Sequence, residues 1–130
     1  MIHRQFFIEL GKLLYSISKS DGIIQEKEKD VIDRIIHKAI EKHKITFNSN
    51  VQDKEMLLTK LSFNTSERNE LTVSEAYQSF INFMKKNSSH VNEKQKEFAK
   101  ELIQKVAAAS RGISKQESVS IEELLKVLAI

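Results

Sequence analysis

Leu13–Ile36 reads LLYSISKSDGIIQEKEKDVIDRII, and this stretch decides the fold. Its first half is apolar at helical spacing, its centre is Ser-Asp-Gly, and its second half carries acids followed by an apolar stripe. Gly22 suits the left-handed residue that closes a helix, because without a Cβ that conformation costs least. Glu26, Glu28 and Asp30 then load the start of the next helix with negative charge, which favours the positive end of the helix dipole. The stretch therefore predicts a helical hairpin.

Moving outward, Phe6, Phe7, Leu10, Leu13, Leu14 and Ile17 follow the i, i+3, i+4 rule, with Glu9, Lys12 and Ser16 on the opposite side. The second helix is expected to begin near Gln25, to bury Val31, Ile32, Ile35, Ile36, Ala39 and Ile40, and to fade near Lys44. FNSN (Phe47–Asn50) reads as a loop. Val51–Leu61 predicts a short helix built on Met56, Leu57 and Leu61, and Asn64–Asn69 a second loop. Thr72 with Glu75, Asn92 with Gln95, and Ser114 with Glu117 have capping-box spacing. They open helices carrying Ala76, Phe80, Ile81, Phe83 and Met84, then Phe98, Leu102, Ile103, Val106 and Ala107, then Ile121, Leu124, Leu125 and Leu128. Asn87–His90 separates the first two.

Val106–Leu125, VAAASRGISKQESVSIEELL, repeats the opening plan. With Gly22 set on Gly112 and one residue of gap, Ile24 meets Ile113, Glu28 meets Glu117, Ile32 meets Ile121, and Ile35-Ile36 meets Leu124-Leu125. One hairpin cannot bury both of its apolar stripes, so two hairpins stacked as a pseudo-two-fold pair make the natural core. Zero prolines and three glycines in 130 residues suit an all-α bundle of about five to seven helices, one domain over residues 1–130.

The composition removes several chemistries. There are no cysteines, so disulfides, thiolate metal sites and cysteine nucleophiles are excluded, and a reducing cytoplasm is the expected setting. No apolar run approaches the roughly 20 residues of a membrane span. The net charge of +3 is spread through mixed stretches such as DKEMLLTK, which builds no phosphate-binding stripe and predicts no nucleic-acid partner. No Walker loop, nucleophile elbow or dinucleotide fingerprint occurs. His3, His43 and His90 lie near element ends without triad spacing, so no catalytic residue is assigned.

SKSDGIIQEKEKDVI (Ser18–Ile32), with SRGISKQESVSIEELL (Ser110–Leu125) as the second turn, resembles the TerB-like family of small helical domains. That resemblance implies a bacterial module of tellurite resistance or stress response, and a divalent metal held by acids in both turns. Asp21, Glu26 and Glu28 match the acidic positions of the first turn. In the second, Arg111 stands where an acid would be and leaves Glu117 alone.

The residues themselves offer two metal readings, each with a plainer one beside it. Asp21-Gly22, Ile24 and Glu28 match the second half of a helix–loop–helix calcium loop, but Ile17 and Lys19 occupy its first and third ligand positions. Capping and turn formation account for the same acids. A weaker oxygen site at Asp21, Glu26 and Glu28 would suit Ca²⁺ or Mg²⁺. Asp33, His37 and Glu41 share one helix face, where ordinary i, i+4 pairing competes with metal ligation. The reading that follows is a non-enzymatic module that binds a protein partner through the acidic turn Asp21–Asp30. The alternative is a divalent-ion binding or sensing domain using Asp21–Glu28. Phe6 and Phe7 together look like more aromatic surface than one core absorbs, which leaves self-association open.

Overall fold

The computed structural model describes residues 2–19, 26–47, 50–109 and Lys126. These form α1 (Ile2–Lys19), α2 (Glu26–Phe47), α3 (Asn50–Arg68), α4 (Val73–Asn87), a single 3₁₀ turn (Ser88–His90) and α5 (Glu93–Ala109). No strand occurs among the described residues, so the all-α bundle is observed. Gly22, Gly112, the Ser114–Glu117 capping box and the helix after it lie outside the described residues, and with them the hairpin bends and the internal repeat.

The central element is α1, which packs against α3, α4 and α5, while α2 lies across α3 and α5. From Phe6 to Ser18 every residue of α1 is buried except Ile8 and Lys12. This differs from the one-sided helix that hydrophobic spacing predicts, because Glu9 and Ser16 were expected on a solvent face and are buried. Small hydroxyls enter the interior cheaply when the backbone accepts their protons. The Ser16 hydroxyl donates to the Leu13 carbonyl at 2.6 Å, and that of Ser18 to Leu14 at 2.9 Å.

The aromatic residues divide their contacts among the surrounding helices. Phe6 meets Phe80 and Phe83 of α4, both at 6.4 Å between centroids, and Phe7 meets Phe98 of α5 at 5.8 Å, edge to face. Both rings are fully buried. One core absorbs both rings, so they leave no aromatic surplus at the surface.

Steric fit rather than hydrophobicity chooses the buried face of α3. A Cβ built on Gly11 would lie 2.6 Å from the Ser62 Cβ and would collide with the Thr59 carbonyl oxygen. At this crossing α1 offers no side chain and α3 offers small ones: Thr59, Ser62 and Ser66 are buried alongside Met56 and Phe63. The Ser62 hydroxyl donates to the Ile8 carbonyl across the crossing. Leu57 and Leu61, expected in the core, face outward at 48% and 59% exposure.

α3 also runs to Arg68, through the expected loop at Asn64–Asn69. Phe63 and Ser66 tie this part to the core, and Thr65 donates its hydroxyl proton to the Leu61 carbonyl at 2.8 Å. The helix then closes in a Schellman arrangement. The Leu71 amide reaches the Ser66 carbonyl at 3.2 Å and the Glu70 amide that of Glu67 at 3.1 Å. Glu70 has φ 53°, the left-handed position where glycine is usual. The stop therefore carries no glycine, and the sequence pattern misplaces it. Tyr15 of α1 fixes this turn by donating its phenol proton to the Leu71 carbonyl at 2.7 Å.

Two expected capping boxes are present. The Thr72 amide donates to Glu75 Oε1 at 3.1 Å and the Glu75 amide to Thr72 Oγ1 at 3.0 Å. The Asn92 and Gln95 pair exchanges bonds of 3.0 and 2.8 Å in the same way. The bond from the Thr72 amide, reinforced by its hydroxyl, holds the Glu75 carboxyl below its ordinary value. In α2 the helix continues to Phe47, beyond the expected fade, and buries Ile32, Ile36, Ala39 and Ile40. Val31, expected in that stripe, is 41% exposed.

Gly11→Ala separates helix propensity from packing. Alanine gains about 1 kcal/mol inside a helix, whereas overpacking against an immovable backbone carbonyl costs about 1–3 kcal/mol or more. The expected result is net destabilisation in urea unfolding. A variant as stable as the parent would show that α3 does not rest on Gly11.

Candidate interaction surface

The Gly11 crossing generates a surface feature. Because α3 turns its small polar face inward, its apolar side is left beside the half-buried Ile8 and Lys12 of α1. An open groove of about 430 Å³ forms there, lined by Ile8 and Lys12 from α1, by Leu58, Leu61 and Thr65 from α3, and by Leu71 beyond it. Leu57, one turn before Leu61, extends the apolar surface along α3. The hydroxyls of Ser62 and Thr65 are already bonded to backbone carbonyls. What the groove presents is therefore chiefly aliphatic, with one cation.

That cation belongs to a polar cluster between α1 and α4. Glu9 is 4% exposed and accepts the Ser79 hydroxyl proton, with 2.7 Å to Oε2. Lys12 Nζ lies 3.4 Å from Glu9 Oε1 and 3.4 Å from Ser79 Oγ. A carboxylate at this depth is tolerable only with such partners. Sequence spacing gives no sign of the cluster, since Ser79 lies 70 residues from Glu9.

The acidic positions singled out in the sequence are dispersed. Asp21 lies outside the described residues. Glu26 is exposed and lines a smaller groove of about 150 Å³ with Lys29, Asp30, Asp33, Lys60 and Phe63. Glu28, two residues on, does not line it, as i and i+2 positions of a helix do not face one another. Its Oε2 is buried without a hydrogen-bond partner among the described residues. Asp33 pairs with Lys60 at 3.1 Å, while His37 and Glu41 are exposed. No group of three His, Asp or Glu side chains able to hold one ion occurs among the described residues.

Ion pairs line the seam between α2 and α3. Lys29 meets Glu67 at 2.8 Å, and this hydrogen bond holds the Lys29 ammonium above its ordinary value. A raised lysine contributes stability below its unfolded value and loses it only as pH climbs through the folded one, so the pair is constant at neutral pH. Lys42 meets Glu101 at 2.8 Å and joins α2 to α5. His90 is exposed at the end of the 3₁₀ turn. No described helix is long and apolar enough to cross a membrane.

No family model matches the chain, and neither a curated protein nor a solved structure gives a match.

Removing either side of the Glu9–Ser79 bond leaves a buried polar group short of a partner. Glu9→Ala and Ser79→Ala should each lower unfolding stability by about 1–3 kcal/mol. The double variant should lose less than the sum, by about 1 kcal/mol, because the second change removes a group already orphaned. Strict additivity in a denaturant double-mutant cycle would mean that the bond carries no coupling.

Proposed function

We propose that the chain is a non-enzymatic helical module that binds another protein. The single observation behind this reading is the α1–α3 groove with Leu57 and Leu61 beside it. Burying a leucine is worth roughly 1.5–3 kcal/mol. Here two leucines stand in water while Thr59, Ser62 and Ser66 of the same helix are enclosed. An apolar surface of this kind supports the reading that another molecule covers it. The resemblance of Ser18–Ile32 and Ser110–Leu125 to TerB-like domains adds a bacterial, cytoplasmic setting of tellurite resistance or stress response.

The test is cross-linking capture from source cells, with and without tellurite challenge, comparing the parent with a Leu57→Ser/Leu61→Ser variant. Both side chains are exposed, so the variant should stay within about 0.5 kcal/mol of the parent in stability. A stoichiometric partner, enriched on challenge and lost with the variant, is expected. Equal capture by both proteins removes the groove from the reading, and indifference to tellurite removes the stress setting.

A second reading is favoured by the buried Oε2 of Glu28, which has no hydrogen-bond partner among the described residues: a divalent ion held by Asp21, Glu26 and Glu28. All-oxygen donors suit Ca²⁺ or Mg²⁺. Two carboxylates at i and i+2 are too few and diverge, so this reading depends on Asp21. Calorimetric titration with Ca²⁺, Mg²⁺ and Mn²⁺ should then give heat that Glu28→Gln abolishes, together with a higher melting temperature. No heat and no shift at millimolar ion eliminates it.

A further inference from the structure

The groove has a length, a charge and a depth, and together these restrict what fits it. Along α3 the surface from Leu57 to Asn69 spans roughly 18 Å at 1.5 Å per residue, about the reach of three helical turns. It lies between two packed helices, and Ile8, Leu58, Leu61 and Leu71 supply its apolar wall beside Ser62, Thr65, Ser66 and Asn69. This matches the mode in which an amphipathic helix lays apolar side chains at i, i+4 and i+7 into a groove.

The charges select the sign of the occupant. Among the residues that line the groove, Lys12 is the one ionisable group. Its distances to Glu9 and Ser79 are both 3.4 Å, at the long end for hydrogen bonds, and its side chain is 30% exposed. Arg4 precedes Ile8 by one turn on the same face of α1, and Arg68 follows Leu61 by two turns on the exposed face of α3; both are exposed. The carboxylate behind Lys12 is buried with Ser79. The exposed carboxylate nearest in sequence, Glu70, sits in the turn between Asn69 and Leu71. Arg4 on α1 and Arg68 on α3 thus add positive charge beside the apolar surface, partly offset by the exposed Glu70 between Asn69 and Leu71.

Resting on the protein-binding reading, we infer that the α1–α3 groove docks an acidic amphipathic helix of a partner protein, its leucine-type side chains against Ile8, Leu58, Leu61 and Leu71 and its carboxylates toward Lys12, Arg4 and Arg68. The apolar contacts supply the affinity and the flanking cations the sign preference and the salt dependence.

The test uses fluorescence anisotropy with the full chain and three labelled peptides of about 15 residues, enough for four turns. One carries leucine at i, i+4, i+7 and i+11 with glutamate between, the second replaces each glutamate by lysine, and the third replaces each leucine by serine. The acidic leucine peptide should bind saturably, and the other two roughly tenfold more weakly or not at all. Leu61→Glu and Arg68→Glu should each weaken the acidic peptide by roughly tenfold while leaving circular dichroism and thermal unfolding unchanged. Added salt should weaken it further.

Absence of saturable binding, equal binding of the lysine peptide, or indifference to Leu61→Glu overturns the inference. A concentration-dependent dimer in light scattering that Leu61→Glu abolishes also overturns it, by making a second copy the occupant. If the peptides fail while capture of a cellular partner still depends on Leu57 and Leu61, only the partner's chemistry is wrong. If both fail, the protein-binding reading falls as well.

Discussion

The arrangement of this bundle depends on how closely α3 approaches α1 at Gly11. Helix axes usually stand 8–10 Å apart because side chains keep them there. At this crossing one helix has no side chain and the other has threonine and serine, so backbone meets backbone and Ser62 bonds to the Ile8 carbonyl. That contact fixes the rotation of α3 about its own axis. Once the rotation is set, Met56 and Phe63 are directed into the core and Leu57 and Leu61 away from it.

The same contact makes α1 a central helix. With α3, α4 and α5 around it, α1 has almost no solvent face, and its polar residues need partners inside. Ser16 and Ser18 find theirs in the backbone of the preceding turn. Glu9 cannot do so and reaches to Ser79 of α4, with Lys12 beside it. Between Phe6 and Ser18 the two residues of α1 that remain partly open, Ile8 and Lys12, both line the groove. The surface feature and the core are therefore one construction: the central helix is accessible where α3 leaves it uncovered.

The acids of α2 belong to a different construction. Lys29 with Glu67 and Lys60 with Asp33 hold α2 to α3 by pairs that are partly exposed. Such pairs contribute little individually and weaken with salt. They orient a seam whose hydrophobic contacts, from Ile32, Ile36 and Phe63, carry most of the energy. The acid-rich opening of α2 thus takes part in ordinary helix pairing, and Glu28 Oε2 is buried without a hydrogen-bond partner among the described residues.

The sequence by itself determined that the chain is helical, and it determined those capping and burial signals that need only near neighbours. Thr72 with Glu75 and Asn92 with Gln95 cap their helices as the spacing predicts, and Phe80, Met84, Phe98 and Leu102 are buried as periodicity predicts, because both effects act within one or two turns. Tertiary structure alone decided which face of α3 is inside, since that depends on a glycine 48 positions away from Thr59 in the chain. It decided that Glu9 is buried, because Ser79 comes from another helix, and that α3 ends at Arg68, because Glu70 takes the left-handed position without being glycine. Hydrophobic spacing assumes that the greasier side of a helix turns inward. That assumption fails where backbones touch, and the failure leaves Leu57 and Leu61 exposed.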